Sequence, residues 1–301
     1  MVEVMEIPKG FKQTEVGVIP GDWNVKLLGN IGGFKKGKNI PKSMLKSNGI
    51  PCVLYGEIYT KYHFQCSRLI SRISIETAQN ATEIKYGDIL FAGSGETAED
   101  IGKCFVYSGS KEAYAGGDVI IFTPKNNDSI FLGFLLNSVP LNKQKSFMGQ
   151  GSSVFHIYSS NLKNLIIPLP PTKTEQTSIA TVLNDADALI TQLEKLIAKK
   201  RAIKQGAMQE LLKPQEGWEV EPIKNIASIC TGAKNTQDKI NDGTYSFFVR
   251  SPVVEKINSY SFDGEAILVA GDGVGTGKVM HYFKGRFDFH QRVYKISNFQ
   301  N

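Results

Sequence analysis

Gly21-Asp22-Trp23-Asn24-Val25, followed by Leu28, Asn30-Ile31 and Gly37, returns 195 residues later as Glu216-Gly217-Trp218-Glu219-Val220, Ile223, Asn225-Ile226 and Gly232. Recurrence at a fixed offset is the mark of a duplicated structural unit. Both copies open on the same Trp-x-Val segment, which predicts a strand in each, with Trp23 and Trp218 as core anchors rather than base-stacking platforms. Further along, Ile89-Leu90-Phe91-Ala92-Gly93 matches Ile267-Leu268-Val269-Ala270-Gly271, and Gly102-Lys103 matches Gly277-Lys278. At the offset of 175 reached there, Asn301 corresponds to Asn126. Counterparts of Ile130 to Pro171 do not appear, so the second module reads as truncated.

Within a module, short apolar or alternating runs bounded by Gly, Pro and Asn predict strands at Asp88–Ala92, Lys103–Tyr107, Asp118–Thr123 and Leu165–Leu169. Ile130–Ser138 suits a short buried helix. The fold class is therefore α+β, a mixed sheet with short helices.

Between the modules lies the strongest helical signal. Pro170-Pro171 precedes Thr172-Lys173-Thr174-Glu175, which has the spacing of a capping box, and Pro214 closes the segment after Leu212. Ile179, Val182, Ala186, Leu189, Leu193, Leu196, Lys200, Ile203 and Ala207 follow the alternating three and four spacing of a coiled-coil seam. Such a rod, roughly 57 Å long at 1.5 Å per residue, needs a partner helix to cover its seam. The expected organisation is a first module at 1–170, a long coiled-coil-forming spacer helix at 171–213 and a partial second module at 214–301.

Composition narrows the function. The 41% apolar content suits a folded globular chain. No run approaches the roughly 18 apolar residues of a membrane span, and Met1–Gly10 lacks a signal-peptide core, so a cytoplasmic location with no membrane partner is expected. Cys52, Cys66, Cys104 and Cys230 are widely spaced and read as reduced packing thiols, not as metal ligands or disulfides. The net charge of +6 is unevenly distributed. From Lys26 to Arg72 there are nine basic side chains against one acid, Glu57. This stretch is interleaved with Phe34, Tyr55, Tyr59, Tyr62 and Phe64, as a phosphate-contacting surface requires; a solvated face is the plainer alternative.

Several motifs fail on inspection. Asp272-Gly273-Val274-Gly275-Thr276-Gly277-Lys278 resembles a phosphate loop, but Asp272 occupies the first glycine position and Val279 the Ser/Thr position. Gly93-Ser94-Gly95-Glu96-Thr97-Ala98 resembles a dinucleotide fingerprint, yet Glu99-Asp100-Ile101-Gly102 opens no apolar helix. There is no nucleophile elbow, and His63, His156, His281 and His290 form no metal-ligand pair. No catalytic or metal-binding residues are assigned.

Lys12-Gln13-Thr14-Glu15-Val16-Gly17-Val18-Ile19-Pro20-Gly21-Asp22-Trp23 resembles the opening of Type I restriction-modification specificity subunits. So does the central segment: Pro168-Leu169-Pro170-Pro171, Glu175-Gln176, Ile179-Ala180, Leu183, Leu193-Glu194-Lys195-Leu196-Ile197, Lys200, Ala202-Ile203-Lys204-Gln205-Gly206 and Met208-Gln209-Glu210-Leu211-Leu212. The resemblance implies a non-catalytic subunit whose target-recognition domains each read half of a bipartite site in double-stranded DNA. It also implies two antiparallel helices that act as a ruler and dock methyltransferase (modification) subunits, alongside a motor-nuclease (restriction) subunit. S-adenosylmethionine, ATP and Mg²⁺ would be used by those partners and none bound by this chain. The sequence departs from the family by ending within the second recognition domain.

Target-recognition domains diverge with the sequence they read, so site residues are chosen from chemistry. Phosphate contacts are expected from Lys35, Lys36, Lys38, Lys42, Arg68 and Arg72. Base-edge contacts are expected from two polar glycine-rich loops, through Ser94, Glu96 and Thr97 and through Gln150, Ser152 and Ser153. The helix-pairing interface is expected from Ile179, Val182, Ala186, Leu189, Leu193, Leu196, Ile203 and Ala207. Three other readings stay open: a half-subunit acting as an antiparallel homodimer on an inverted repeat, a self-standing DNA methyltransferase or nuclease, and an assembly protein that dimerises through the rod.

Overall fold

The computed structural model describes residues 7–38, 40–273 and 275–300. The chain divides into two compact units, 1–203 and 204–301, with the boundary inside the long helix.

The heart of the first unit is a set of strands buried on both faces. Ile89–Ala92, Cys104–Tyr107 and Val119–Pro124 lie side by side in a five-stranded sheet edged by Gly32–Lys36 and Gln65–Cys66. Because side chains alternate along a strand, each of the three feeds two different cores. Ile89, Phe91, Cys104, Val106, Ile120 and Phe122 face one apolar layer. Leu90, Ala92, Phe105, Tyr107, Val119 and Ile121 face the other. That double burial is why these segments read as nearly continuous apolar runs rather than as alternating ones.

The first layer is closed by the helices Ser129–Leu136 and Val139–Met148, which contribute Phe131, Leu132, Leu136 and Leu141. The expected short buried helix is thus present, and Asp128 caps it by accepting the Phe131 N–H at 2.9 Å. The second layer is closed by a four-stranded sheet, Ser71–Ile73, Ile50–Val53, Ala113–Ala115 and Thr82–Ile84 in that order, and by the short helix Tyr55–Thr60.

The second unit repeats this plan as one six-stranded sheet: Ser228–Thr231, Val293–Ser297, Phe262–Ala270, Met280–Phe289, Tyr245–Phe248 and Glu255–Ile257. Its register confirms the duplication. In the first unit Tyr114 lies opposite Cys52 in a parallel pair; in the second, Asp288 lies opposite Phe247 in a parallel pair. Met280–Phe289 runs unbroken where the first unit breaks into Cys104–Tyr107 and Ala113–Ala115. Gly264 and Gly285 face each other across this ribbon at φ 155° and 132°, values that favour glycine and let the long pair coil.

One glycine is required in the same way in both copies. A Cβ on Gly37 would lie 1.9 Å from the Gly116 carbonyl oxygen, and one on Gly232 would lie 1.9 Å from that of Phe289. Backbone meets backbone there, so no side chain can yield. Gly232→Ala is expected to destabilise the second unit by about 1–3 kcal/mol through overpacking, with the first unit unaffected. Hydrogen exchange would show early opening confined to Ser228–Thr231 and its neighbour; uniform exchange would contradict the assignment.

The second Trp-x-Val segment departs from expectation. In the first unit Asn24–Leu27 is a strand paired with Ile166–Leu169. Trp23 packs edge-on against Phe131 at 6.2 Å and donates its indole N–H to Glu175 at 3.0 Å. Trp218 is 56% exposed, Val220 is 96% exposed, and no strand forms there. Among the described residues no strand pairs with this segment and no aromatic ring packs on Trp218.

The long helix spans Lys173–Leu211, 39 residues, about 58 Å at 1.5 Å per residue. Its capping box is half formed. Thr172 Oγ1 accepts the Glu175 N–H at 3.2 Å, but the Glu175 carboxylate turns to Trp23 instead of back to the cap. The first turns are docked. Gln176 is buried, accepts the Asp128 N–H at 2.9 Å and donates to Asn127 Oδ1 at 3.1 Å. Thr177 donates to Asp128 Oδ2 at 2.8 Å, and Ala180 enters the core. Ile179 also packs against this core, which corrects its placement on the partner seam. From Val182 on, the seam is bare: Val182, Leu189, Leu193, Leu196 and Ile203 are all about half exposed or more, and Ala186 and Ala207 are exposed. Among the described residues no helix is long and apolar enough to cross a membrane.

Candidate nucleic-acid interface

The two glycine-rich loops, far apart in sequence, are tied together. Ser94–Gly95 pairs with Phe155–His156 in an antiparallel ribbon, with Ser94 opposite His156. His156 in turn exchanges both backbone hydrogen bonds with Gln150, at 2.8 and 2.9 Å. Continuing this register past Gly95 and Phe155 puts Glu96 and Thr97 at the same ribbon end as Ser152 and Ser153. Glu96, Thr97, Gln150, Ser152 and Ser153 are all exposed. Thr97 is also engaged, since its hydroxyl donates to Asp100 at 3.1 Å. Ser94 is a correction: it is 3% exposed, and its hydroxyl lies 2.9 Å from His156 Nδ1. It holds the ribbon rather than facing solvent.

Behind the loops a buried lysine supplies an anchor. Lys145, from the helix Val139–Met148, is fully buried and donates to the Gly102 carbonyl at 2.7 Å. Burial pushes its pKa down, with the neighbouring Cys104 opposing that shift. The sequence held no signal for this, because a lysine on a short helix ordinarily points to water. Burial likewise raises the Cys104 thiol to about 11 and the Cys52 thiol to about 12, so both are neutral packing groups.

The basic residues separate into two sets. Lys35 and Lys36 lie on the edge strand Gly32–Lys36, opposite Ile121 and Ile120, and so project to opposite faces. Lys38 follows them, also exposed. Lys36 approaches Asp118 at 3.5 Å with both side chains largely exposed, a pairing of little energetic weight. Lys42 lines a cleft with Met44, Leu54, Tyr55, Gly117 and Asp118. Asp118 also accepts the Gly93 N–H at 2.7 Å through its carbonyl, which joins this cleft to the Ser94 loop. Lys36, Lys42 and the first loop therefore converge around Asp118.

Arg68 and Arg72 do not line that cleft. Arg68 is exposed. Arg72 is a second correction: its guanidinium donates to the carbonyls of Leu69 and Ser71 and is committed to its own strand. Asp118 was not legible as a site residue. Its backbone has φ 59°, a conformation in which Asp is enriched among non-glycine residues, and Gly116-Gly117-Asp118 was the available sign of a tight turn.

The segment Asp272–Lys278 leads into the strand Met280–Phe289 and not into a helix, so it lacks the helix N-terminus on which a phosphate loop depends. Among the described residues no group of three His, Cys, Asp or Glu side chains gathers to hold a metal.

Two modules on one plan, joined by a long helix with a bare apolar seam, define a duplicated two-module architecture. A family model for the Type I restriction modification DNA specificity domain matches residues 20–205. The chain belongs to this family. A Methanocaldococcus jannaschii protein named as the putative type I restriction enzyme MjaX specificity subunit is 30% identical over 211 residues, covering 67% of this chain and 48% of that protein. The MjaVIII specificity subunit of the same organism is 25% identical over 260 residues, covering 77% of this chain and 56% of that one. The chain thus spans about half the length of these relatives. A type I system S subunit from M. genitalium shares the fold at TM-score 0.61 and 16% identity, over 93% of this chain and 73% of that one.

Proposed function

We propose that this chain is a non-catalytic specificity subunit that reads DNA sequence for a Type I restriction-modification complex in the cytoplasm. The observation that carries the reading is the family match over residues 20–205, which takes in nearly all of the first module and the docked part of the helix. The first module would read one half of a bipartite target through Glu96, Thr97, Gln150, Ser152 and Ser153. Lys36 and Lys42, which converge with the first loop around Asp118, would neutralise phosphates nearby, and Lys35 and Lys38 phosphates further along that edge. The bare seam of the helix would take a partner helix and help to dock modification subunits, which would supply S-adenosylmethionine, with a motor-nuclease subunit using ATP and Mg²⁺. Mapping methylated adenines in cells with and without this chain tests the reading. A bipartite motif should appear only with the chain, and an unchanged methylome would refute it.

The basic edge gives a second measurement. Replacing Lys35, Lys36 and Lys38 together by Ala should weaken binding to all duplex sequences alike, by roughly 10- to 100-fold near physiological salt, and flatten the log–log salt slope by as much as about 3. An unchanged slope would remove these residues from the interface.

A second reading is favoured by the seam itself. Val182, Leu189, Leu193, Leu196 and Ile203 are uncovered, and the same helix of another copy could cover them in an antiparallel homodimer, which would read an inverted repeat. Light scattering at micromolar concentration separates the two, since a monodisperse monomer excludes the homodimer.

A further inference from the structure

The cleft around Asp118 in the first unit has a counterpart in the second, built from different side chains. Arg250 follows the strand Tyr245–Phe248 as Tyr55 follows Ile50–Val53. Asp272 follows Phe262–Ala270 as Ser94 follows Ile89–Ala92, and Arg292 precedes Val293–Ser297 as Asp118 precedes Val119–Pro124. The same three strand ends therefore converge in both units.

In the second unit the three side chains are joined. Arg250 Nη1 donates to Asp272 Oδ1 at 2.8 Å, and Arg292 Nη1 donates to Asp272 Oδ2 at 2.8 Å. Their side chains are 40%, 40% and 57% exposed for Arg250, Asp272 and Arg292. The bond from Arg250, then that from Arg292, hold the Asp272 carboxyl below the usual carboxylate range, so the carboxylate stays ionised and both forks stay oriented. A guanidinium carries five N–H donors. One from each goes to Asp272, and among the described residues no other side-chain partner is found for either fork. A Cβ on Gly273 would only reach ordinary van der Waals contact with Arg250 Nη1, at 3.7 Å.

We infer that Arg250 and Arg292, held in place by Asp272, are the base-reading residues of the second unit, and that their target is guanine. The chemistry selects the base. Guanine offers two acceptors, N7 and O6, on its major-groove edge, and an arginine fork matches them bidentately, whereas adenine places a donor beside its N7. Asp272 acts as a positioning residue, as its two oxygens are taken by the arginines. The equivalent strand ends of the first unit carry Tyr55, the buried Ser94 and Asp118, so the two units present different chemistry at the same place in the fold. This inference rests on the DNA-reading function proposed above.

The test is selection from a randomised duplex library by the full chain assembled with its modification subunits, comparing wild type with Arg250→Ala, Arg292→Ala, Arg292→Lys and Asp272→Asn. The wild type should enrich a motif with G in the half read by the second unit. Each alanine variant should lose discrimination at a single G position by roughly 5- to 150-fold, while the other half of the motif is kept. Arg292→Lys retains the charge but not the fork and should blur the position lost in Arg292→Ala, whereas Asp272→Asn retains both arginines and should blur both positions, with folding intact by circular dichroism. Wild-type enrichment with an unchanged motif in all four variants, or with equal weakening at every position, overturns the guanine assignment alone. Absence of any enriched motif for the wild type overturns the DNA-reading function and this inference with it.

Discussion

Replacing Leu189, Leu193 and Leu196 together by Asp should abolish association through the long helix while leaving both modules folded. The three side chains are 57%, 49% and 49% exposed, so in the isolated chain the change costs little beyond helix propensity, at most about 0.7 kcal/mol per residue. Covering the exposed half of each leucine in an interface contributes about 0.8–1.5 kcal/mol, and a carboxylate buried there without a partner opposes association further. The sum exceeds about 2 kcal/mol, roughly thirtyfold or more in the association constant. Sedimentation of the purified chain and capture by modification subunits would both register it. Association unchanged in both would remove the seam from any interface.

Gln176→Leu should produce a large loss of stability in the first unit. The glutamine is 3% exposed and both ends of its amide are used: the oxygen accepts the Asp128 N–H, and the nitrogen donates to Asn127. Leucine matches the volume but leaves those two groups unpaired, and each unsatisfied buried group costs about 1–3 kcal/mol. Asp128 also caps the helix Ser129–Leu136, so its displacement loosens a second element. A loss of about 2–5 kcal/mol is expected, visible as a fall of roughly 5–15 °C in the melting of that unit. A change below about 0.5 kcal/mol, within the range of an ordinary surface substitution, would show that Glu175, Thr177, Ile179 and Ala180 hold the helix without it. The Glu175-Gln176 and Ile179-Ala180 pairs that carry the family resemblance are thus the residues that fasten the rod to the module.

Much of the site could not be read in one dimension. Ser94 and Arg72 have the right chemistry for DNA, but whether a hydroxyl or guanidinium faces solvent depends on what lies across the sheet. His156 takes the first, and the carbonyls of Leu69 and Ser71 take the second. Arg250, Asp272 and Arg292 were invisible as a group because they stand 22 and 20 residues apart and meet only when three strand ends converge. Trp218 shows the opposite failure. The repeat assigned it the role of Trp23, but an aromatic anchor needs the surface it anchors to, and among the described residues no strand pairs with its segment as Ile166–Leu169 pairs with Asn24–Leu27.

From the sequence alone came the duplication announced by Gly21–Val25 and Glu216–Val220, the principal strands of the first unit, the long helix and the family. These are properties of local pattern: period, turn residues and repetition survive in a linear text. Tertiary structure alone decided which face of each strand meets which core, which of the polar side chains remain free, and where the helix stops docking and its seam begins. Those depend on pairings between distant segments, and a hydrogen bond from Asp128 to Gln176 at 2.9 Å or a fork from Arg292 to Asp272 at 2.8 Å exists only once the fold has brought the partners together.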